Sequence, residues 1–182
     1  YYYTHAISDH AVRFVKEHQV ESPEEPFFMY VAYTAAHWPM HAMPKDIQKY
    51  NGRYDEGFEE IRESRYKRMQ KMGLLDAQWE LSPGSDRWAE AENKEWDSRN
   101  MEVYAAMVDS MDQGIGQIMD ALAETGQLSN TLVLYLQDNG GCAEGLGRKA
   151  RGGVTVMPAK ATLPPMKSSA LQTQMIPVQT RS

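Results

Sequence analysis

Phe27-Phe28-Met29-Tyr30-Val31-Ala32-Tyr33-Thr34 is a continuous run of apolar and aromatic residues, entered from Pro26. A run of this length without polar alternation predicts a strand buried on both faces, the kind found in sheets enclosed by helices. Thr131-Leu132-Val133-Leu134-Tyr135-Leu136-Gln137 has the same character and ends in Asp138-Asn139-Gly140-Gly141. Working outward, residues 8–19 predict a helix capped by Ser8 or Asp9, with Ala11, Val12, Phe14 and Val15 on its apolar stripe. Glu21-Ser22-Pro23-Glu24-Glu25-Pro26 is a polar turn that ends it. A short helix over 45–50 follows Pro44, and residues 56–72 carry a longer helical pattern with Phe58, Ile61, Met69 and Met72 on one side.

The longest predicted helix covers 98–125. Met101, Tyr104, Val108, Met111, Ile115, Ile118 and Leu122 recur at three- and four-residue steps, and Gly126 stands where a C-terminal cap falls. Gly114 and Gly116 weaken this helix, and close packing would explain them. Residues 73–97 are irregular, a length that packs over a site or marks an insertion. Helices flanking buried strands give an α/β fold class. Two strands cannot make a sheet covered on both faces, since sheets typically have about five or six. The sheet is therefore expected to be incomplete in this chain, with its other strands in sequence outside it.

At 182 residues the chain is long enough for one domain with a core. No apolar run approaches the roughly 18–20 residues of a membrane-spanning helix, and no membrane partner is expected. Tyr1 is not a Met and polar residues follow at once, so neither a native start nor a leader peptide is expected at this end. The single cysteine, Cys142, excludes an internal disulfide framework and any multi-cysteine zinc site. The formal net charge is −6. All acidic residues precede position 145, whereas Arg148, Lys149, Arg151, Lys160, Lys167 and Arg181 follow it. An acidic body argues against a general nucleic-acid binder. The basic tail is either a solvated loop or an anion-binding segment.

Two places could carry chemistry. His37 lies in Ala35-Ala36-His37-Trp38-Pro39-Met40-His41, directly after the first buried run. Ligands gather at the carboxyl ends of strands in open α/β sheets, and a histidine there can act as general acid or base. The same residue could equally be tied into a turn beside Pro39, and His41 reads as a surface group. Asp138-Asn139 ends the second run. A carboxylate and an amide oxygen are hard ligands that suit calcium or magnesium, although Asp-Asn-Gly is also tight-turn chemistry. No G-x-x-x-x-G-K-[ST], H-E-x-x-H or G-x-S-x-G motif is present. Nothing near Cys142 in the sequence marks it as reactive.

Taken together, Pro26 to Pro39 resembles the strand and histidine turn of bacterial arylsulfatases. Met101-Glu102-Val103-Tyr104-Ala105-Ala106-Met107-Val108-Asp109, with Asp112 beyond it, is similar to their long helix before a metal-binding strand. Leu132 to Gly141 resembles that strand and its ligand pair, and Lys49-Tyr50-Asn51-Gly52-Arg53-Tyr54-Asp55 resembles a connecting segment. The likeness spans about 1–142 and fades in the tail. It implies a partial alkaline-phosphatase-like sandwich, helices flanking a mixed sheet that is incomplete in this chain. Residues 1–144 would be the central part of a sulfatase catalytic domain, and 145–182 an irregular basic tail of the same domain, truncated.

The implied reaction is hydrolysis of a small sulfate monoester to an alcohol or phenol plus sulfate. By the resemblance His37 would help protonate the leaving group, and Asp138 and Asn139 would help hold a divalent cation, Ca2+, against the sulfate oxygens. Family members of this kind are often periplasmic or secreted. The family nucleophile is a formylglycine made within Cys/Ser-x-Pro-x-Arg, a motif that does not occur here; Cys142, in Gly141-Cys142-Ala143-Glu144, does not match it. The nucleophile is thus expected N-terminal to this chain, and these residues alone are expected to be inactive. Gln137 stands where the family often has Ser or Thr, and Ala36 where it often has Pro. The alternatives are a phosphate or phosphonate ester hydrolase of the same superfamily and a non-catalytic anion-binding module.

Overall fold

The structure, a computed structural model, describes residues 1–84, 88–137 and 139–140. The chain divides into two units, Tyr1–Val133 and Leu134–Ser182. The described residues of the first unit hold the helices α1 (Tyr3–Glu21), α2 (Pro44–Gln48), α3 (Glu59–Lys71) and α4 (Lys94–Glu124), with 3₁₀ turns at Trp88–Glu90 and Leu128–Asn130. None of the described helices is long and apolar enough to cross a membrane.

α1 buries Thr4, Ser8, Ala11 and Val15, one residue per turn on a single stripe. α4 meets it with Gly114, Ile118, Ala121 and Leu122. Ser8 faces Gly114 at one end of the seam, and Lys16 Nζ lies 2.9 Å from Glu124 at the other. The two helices therefore run side by side in the same direction. Burial of Val15, Ile118 and Leu122 contributes about 1.5–3 kcal/mol each. The exposed Lys16–Glu124 pair adds far less, about 0–1 kcal/mol, so the apolar seam holds the helices together.

α1 starts earlier than its sequence predicts. Ser8 is not its cap: Tyr2 holds that position, without a side-chain cap bond. Ser8 is only 1% exposed, because its hydroxyl is drawn into the helix, donating to the Thr4 carbonyl at 3.0 Å. The predicted end of α4 is borne out. Gly126 takes φ 74°, its N–H donates to the Ala123 carbonyl, and the Gln127 N–H reaches the Leu122 carbonyl at 2.8 Å.

After α1 the chain turns at Ser22-Pro23 and residues 27–34 run back along the helix. The Phe27 ring lies against His18, and the Tyr33 hydroxyl reaches Ser8. Met29, Val31 and Tyr33 turn toward the helices, and Met29 and Val31 pack on the apolar seam. Phe28 and Tyr30 are 85% and 83% exposed. Within the described residues one face of this run is packed and the other uncovered, alternating over 28–34. The second run differs, with Leu132, Val133, Leu134, Tyr135 and Leu136 all exposed. Among the described residues neither run pairs into a strand ladder, so the outer face has no neighbour to cover it.

The stripe expected on α4 also needs correction. Ile118 and Leu122 are buried as predicted, but Tyr104 and Val108 are exposed. The buried positions in that half are Asp97, Ser98, Glu102, Ala106, Met107 and Ser110. The physical reason is their partner, a polar segment running antiparallel to α4. Ser110 Oγ donates to Asp46 at 3.1 Å, Glu102 accepts the Gly52 N–H at 2.8 Å, and Ser98 Oγ donates to Asp55 at 2.6 Å. Lys49 Nζ bridges Asp46 and Asp109, at 3.0 and 2.7 Å. Burial pushes the Asp46 carboxyl up, but the bonds from Lys49 and Ser110 and the charges of Lys49 and Lys45 outweigh it and hold it below its usual range. The hydrogen bonds to Asp109 and Asp46 hold the Lys49 ammonium above its usual range. α3 buries none of its residues; Arg62 reaches the Ser82 carbonyl and hydroxyl, and Tyr66 donates to the Trp79 carbonyl.

Two glycines of α4 should respond oppositely to alanine. A Cβ at Gly114 would lie 2.0 Å from Ser8 Oγ, whereas one at Gly116 would meet nothing within 4 Å. Gly114→Ala should destabilise by about 1–3 kcal/mol, and Gly116→Ala should stabilise by up to about 1 kcal/mol, read from denaturant midpoints. The Asp46 clasp should show in the acid limb of stability. A carboxyl depressed in the folded state stabilises fully above its unfolded pKa of about 3.9, and loses that contribution as pH falls through the folded value. Lys49, raised when folded, keeps its contribution below an unfolded pKa of about 10.4 and loses it only as pH rises through the folded value. Between about pH 5 and 3, Asp46→Asn should therefore lose less stability than the unsubstituted protein. Parallel acid limbs in the two would contradict a clasp of this strength.

Candidate active site

His37 is delivered to the surface by residues 27–34. The last inward side chain of that segment is Tyr33, whose hydroxyl lies 2.8 Å from Ser8 Oγ. Ser8 has one hydroxyl proton and spends it on the Thr4 carbonyl, so the phenol is the donor between them. Burial pushes the Tyr33 phenol up, the Ser8 bond opposing in part, and the net rise keeps the donor protonated. Immediately beyond, the chain folds over: the His37 N–H donates to the Thr34 carbonyl at 2.9 Å. The Ala35–Ala36 and Trp38–Pro39 peptide bonds are cis. The turn leaves by way of His41, whose carbonyl accepts from the Tyr2 hydroxyl at 3.0 Å.

The His37 ring is exposed, with Nδ1 2.6 Å from the Trp38 carbonyl oxygen. A carbonyl can only accept, so Nδ1 carries a proton and donates. Nε2 is then the ring atom that can exchange a proton with a ligand: it accepts when the ring is neutral and donates when the ring is cationic. Among the described residues no hydrogen bond occupies Nε2. His41 is exposed and enters through its carbonyl alone, in keeping with its reading as a surface group.

Asn139 belongs to the second unit. It is exposed, and its Nδ2 donates to the Gly140 carbonyl at 2.7 Å. That bond commits the amide nitrogen, and the amide oxygen is the atom that could ligate a cation. Asp138 lies outside the described residues, as do Cys142 and the basic segment 145–182. Among the described residues no group of three or more His, Cys, Asp or Glu is gathered as a metal site. The oxygen donors of Asp138 and Asn139 fit a hard divalent ion such as calcium in kind, and a six- to eight-oxygen shell needs further ligands.

The sequence points to His37 but not to what holds it. Tyr33 reads there only as part of an apolar strand, and Ser8 as a helix cap. The one signal of their meeting is Gly114, a residue that weakens a long helix unless something must approach it closely. Lys49 and Asp109 stand in segments that carry the family resemblance, but nothing in the sequence signals that they meet each other or Asp46.

Residues 1–176 match the model of the family described as Sulfatase. The chain is 39% identical over 149 residues to an uncharacterized sulfatase of Schizosaccharomyces pombe, covering 79% of this chain and 26% of that protein. It is 35% identical over 129 residues to an arylsulfatase of Klebsiella aerogenes, covering 64% of this chain and 26% of the relative. Over 144 residues it is 24% identical to the uncharacterized sulfatase YdeN of Escherichia coli, covering 79% of this chain and 18% of that one. The chain thus spans about a quarter of the length of the first two relatives. With a family match across nearly all of its residues, this chain belongs to the sulfatase family, whose domain has an alkaline-phosphatase-like α/β fold.

Proposed function

We propose that this chain forms part of an enzyme that hydrolyses sulfate monoesters, and that His37 is the acid that protonates the departing oxygen. The observation that carries the reading is the presentation of His37: exposed, at the end of a pinned segment, with Nδ1 tied to a carbonyl and Nε2 turned to other work. The chemistry asks for such a group. An alkoxide or phenoxide is a poor leaving group, and a proton passed to its oxygen as the ester bond breaks removes the developing negative charge. The proton leaves Nε2, and the ring, still holding Nδ1–H, becomes the neutral tautomer in which Nε2 can take a proton back from solvent water.

Asp138 and Asn139 are proposed to help hold a calcium ion, which when bound would orient the sulfate and offset its negative charge. No Cys/Ser-x-Pro-x-Arg motif occurs in the 182 residues. A formylglycine nucleophile is accordingly proposed to come from sequence outside them. The uncovered outward side chains of the two apolar runs, among them Phe28, Tyr30 and Leu132, suit a further layer of helices over a completed sheet.

In the full-length enzyme, His37→Ala should lower kcat/KM by roughly 10²–10⁴-fold on aryl sulfates of weakly acidic phenols, and far less on nitrophenyl sulfates, which depart unaided. Equal losses across the series would refute the acid role. Asp138→Ala should raise the calcium concentration needed for half-maximal turnover by about tenfold or more, as expected when one carboxylate leaves an oxygen shell. An unchanged calcium requirement would remove Asp138 from the shell.

A further inference from the structure

We propose that Tyr33 is a positioning residue for His37, acting through its hydrogen bond to Ser8 where α1, α4 and the 27–34 segment meet. This role rests on the acid role of His37 proposed above. The bond is part-buried, at 2.8 Å, and one residue beyond it the Thr34 carbonyl receives the His37 N–H at 2.9 Å. A continuous line of hydrogen bonds thus runs from the Thr4 carbonyl through Ser8 and Tyr33, and after one backbone step through Thr34, to the backbone of His37. The other end of the turn is pinned beside the start of the same helix, by Tyr2 at the His41 carbonyl.

Stability alone does not explain this junction. A phenylalanine would fill the same apolar space without bringing a hydroxyl that must be matched. The junction also requires a glycine in the interior of α4, since a Cβ at Gly114 would sit 2.9 Å from the Tyr33 hydroxyl as well as clashing with Ser8. A helix-interior glycine is locally unfavourable, and it stands where the Ser8 and Tyr33 hydroxyls meet. What they supply is direction. Apolar packing of Met29 and Val31 tolerates sliding along the seam, whereas a hydrogen bond weakens steeply once its geometry is lost.

The test uses the full-length enzyme and a series of aryl sulfates graded by the acidity of the departing phenol. Tyr33→Phe should lower kcat by roughly three- to tenfold on the least acidic phenols and leave nitrophenyl sulfate within about twofold, with KM little changed. In the His37→Ala background the same substitution should add nothing, because it acts through the lost imidazole. A loss that is uniform across the series, or one that multiplies with His37→Ala, overturns the positioning role while leaving the acid role standing. If His37→Ala itself shows no dependence on the leaving group, both readings fall. Ser8→Ala removes the acceptor and keeps the phenol ring. It should reproduce the selective loss, and a uniform loss in it overturns the positioning role even if Tyr33→Phe does not fold.

Discussion

Ser8 and Gly114 hold α1 and α4 so close that no methyl group fits between them. The rest of the first unit follows from that approach. It sets the register in which Val15 meets Ile118 and Leu122, and it brings Lys16 level with Glu124. It also makes room beside Ser8 for one more oxygen, and the Tyr33 phenol takes it. Burial of the apolar side chains supplies most of the attraction, at about 1.5–3 kcal/mol each, while the hydroxyl pair contributes about 0.5–1.5 kcal/mol. Attraction and placement thus reside in different residues. Apolar burial holds the helices together, and the weaker hydroxyl pair fixes the 27–34 segment against α1.

α4 carries two kinds of seam along one helix. Its C-terminal half is apolar, against Ala11 and Val15 of α1. Its N-terminal half is polar, where Ser98, Glu102 and Ser110 meet Asp55, Gly52 and Asp46. Buried polar contacts give less net stabilisation than apolar ones, but each accepts only one partner geometry. The polar half is where the chain arrives from the His37 turn through α2. The turn is therefore followed by a segment fixed by directional bonds, as it is preceded by one.

Helix order is legible in the sequence because long periodic patterns survive local exceptions. Gly126 is legible as a helix end because a residue free to turn left-handed completes that cap. The face of α4 is legible where its partner is apolar, at Ile118 and Leu122. It is not legible at Tyr104 and Val108, where the partner is the polar segment 46–55 and hydrophobicity no longer indicates the inward side. Ser8 misleads for a related reason. A serine near a helix start is usually a cap, but here its hydroxyl turns back on the Thr4 carbonyl and meets a residue distant in sequence. The placement of His37 in a turn after an apolar run is legible because it is local information. The bonds that hold it are not, because they join α1, α4 and the returning segment.

Alternation along 27–34 shows why register needs a polar contact. Met29, Val31 and Tyr33 face the helices while Phe28, Tyr30 and Ala32 face outward. Both sets are apolar, so a slip of one residue would exchange one greasy face for another at little loss of burial. The same slip would move the chain by about 3.3 Å and carry His37 with it. Hydrophobicity is nearly blind to that slip. The hydroxyl of Tyr33 is not, because Ala32 or Thr34 in its place could not reach Ser8 with a phenol. A segment greasy on both sides needs at least one polar contact to say which side is which, and this chain makes that contact at Tyr33, four residues before His37.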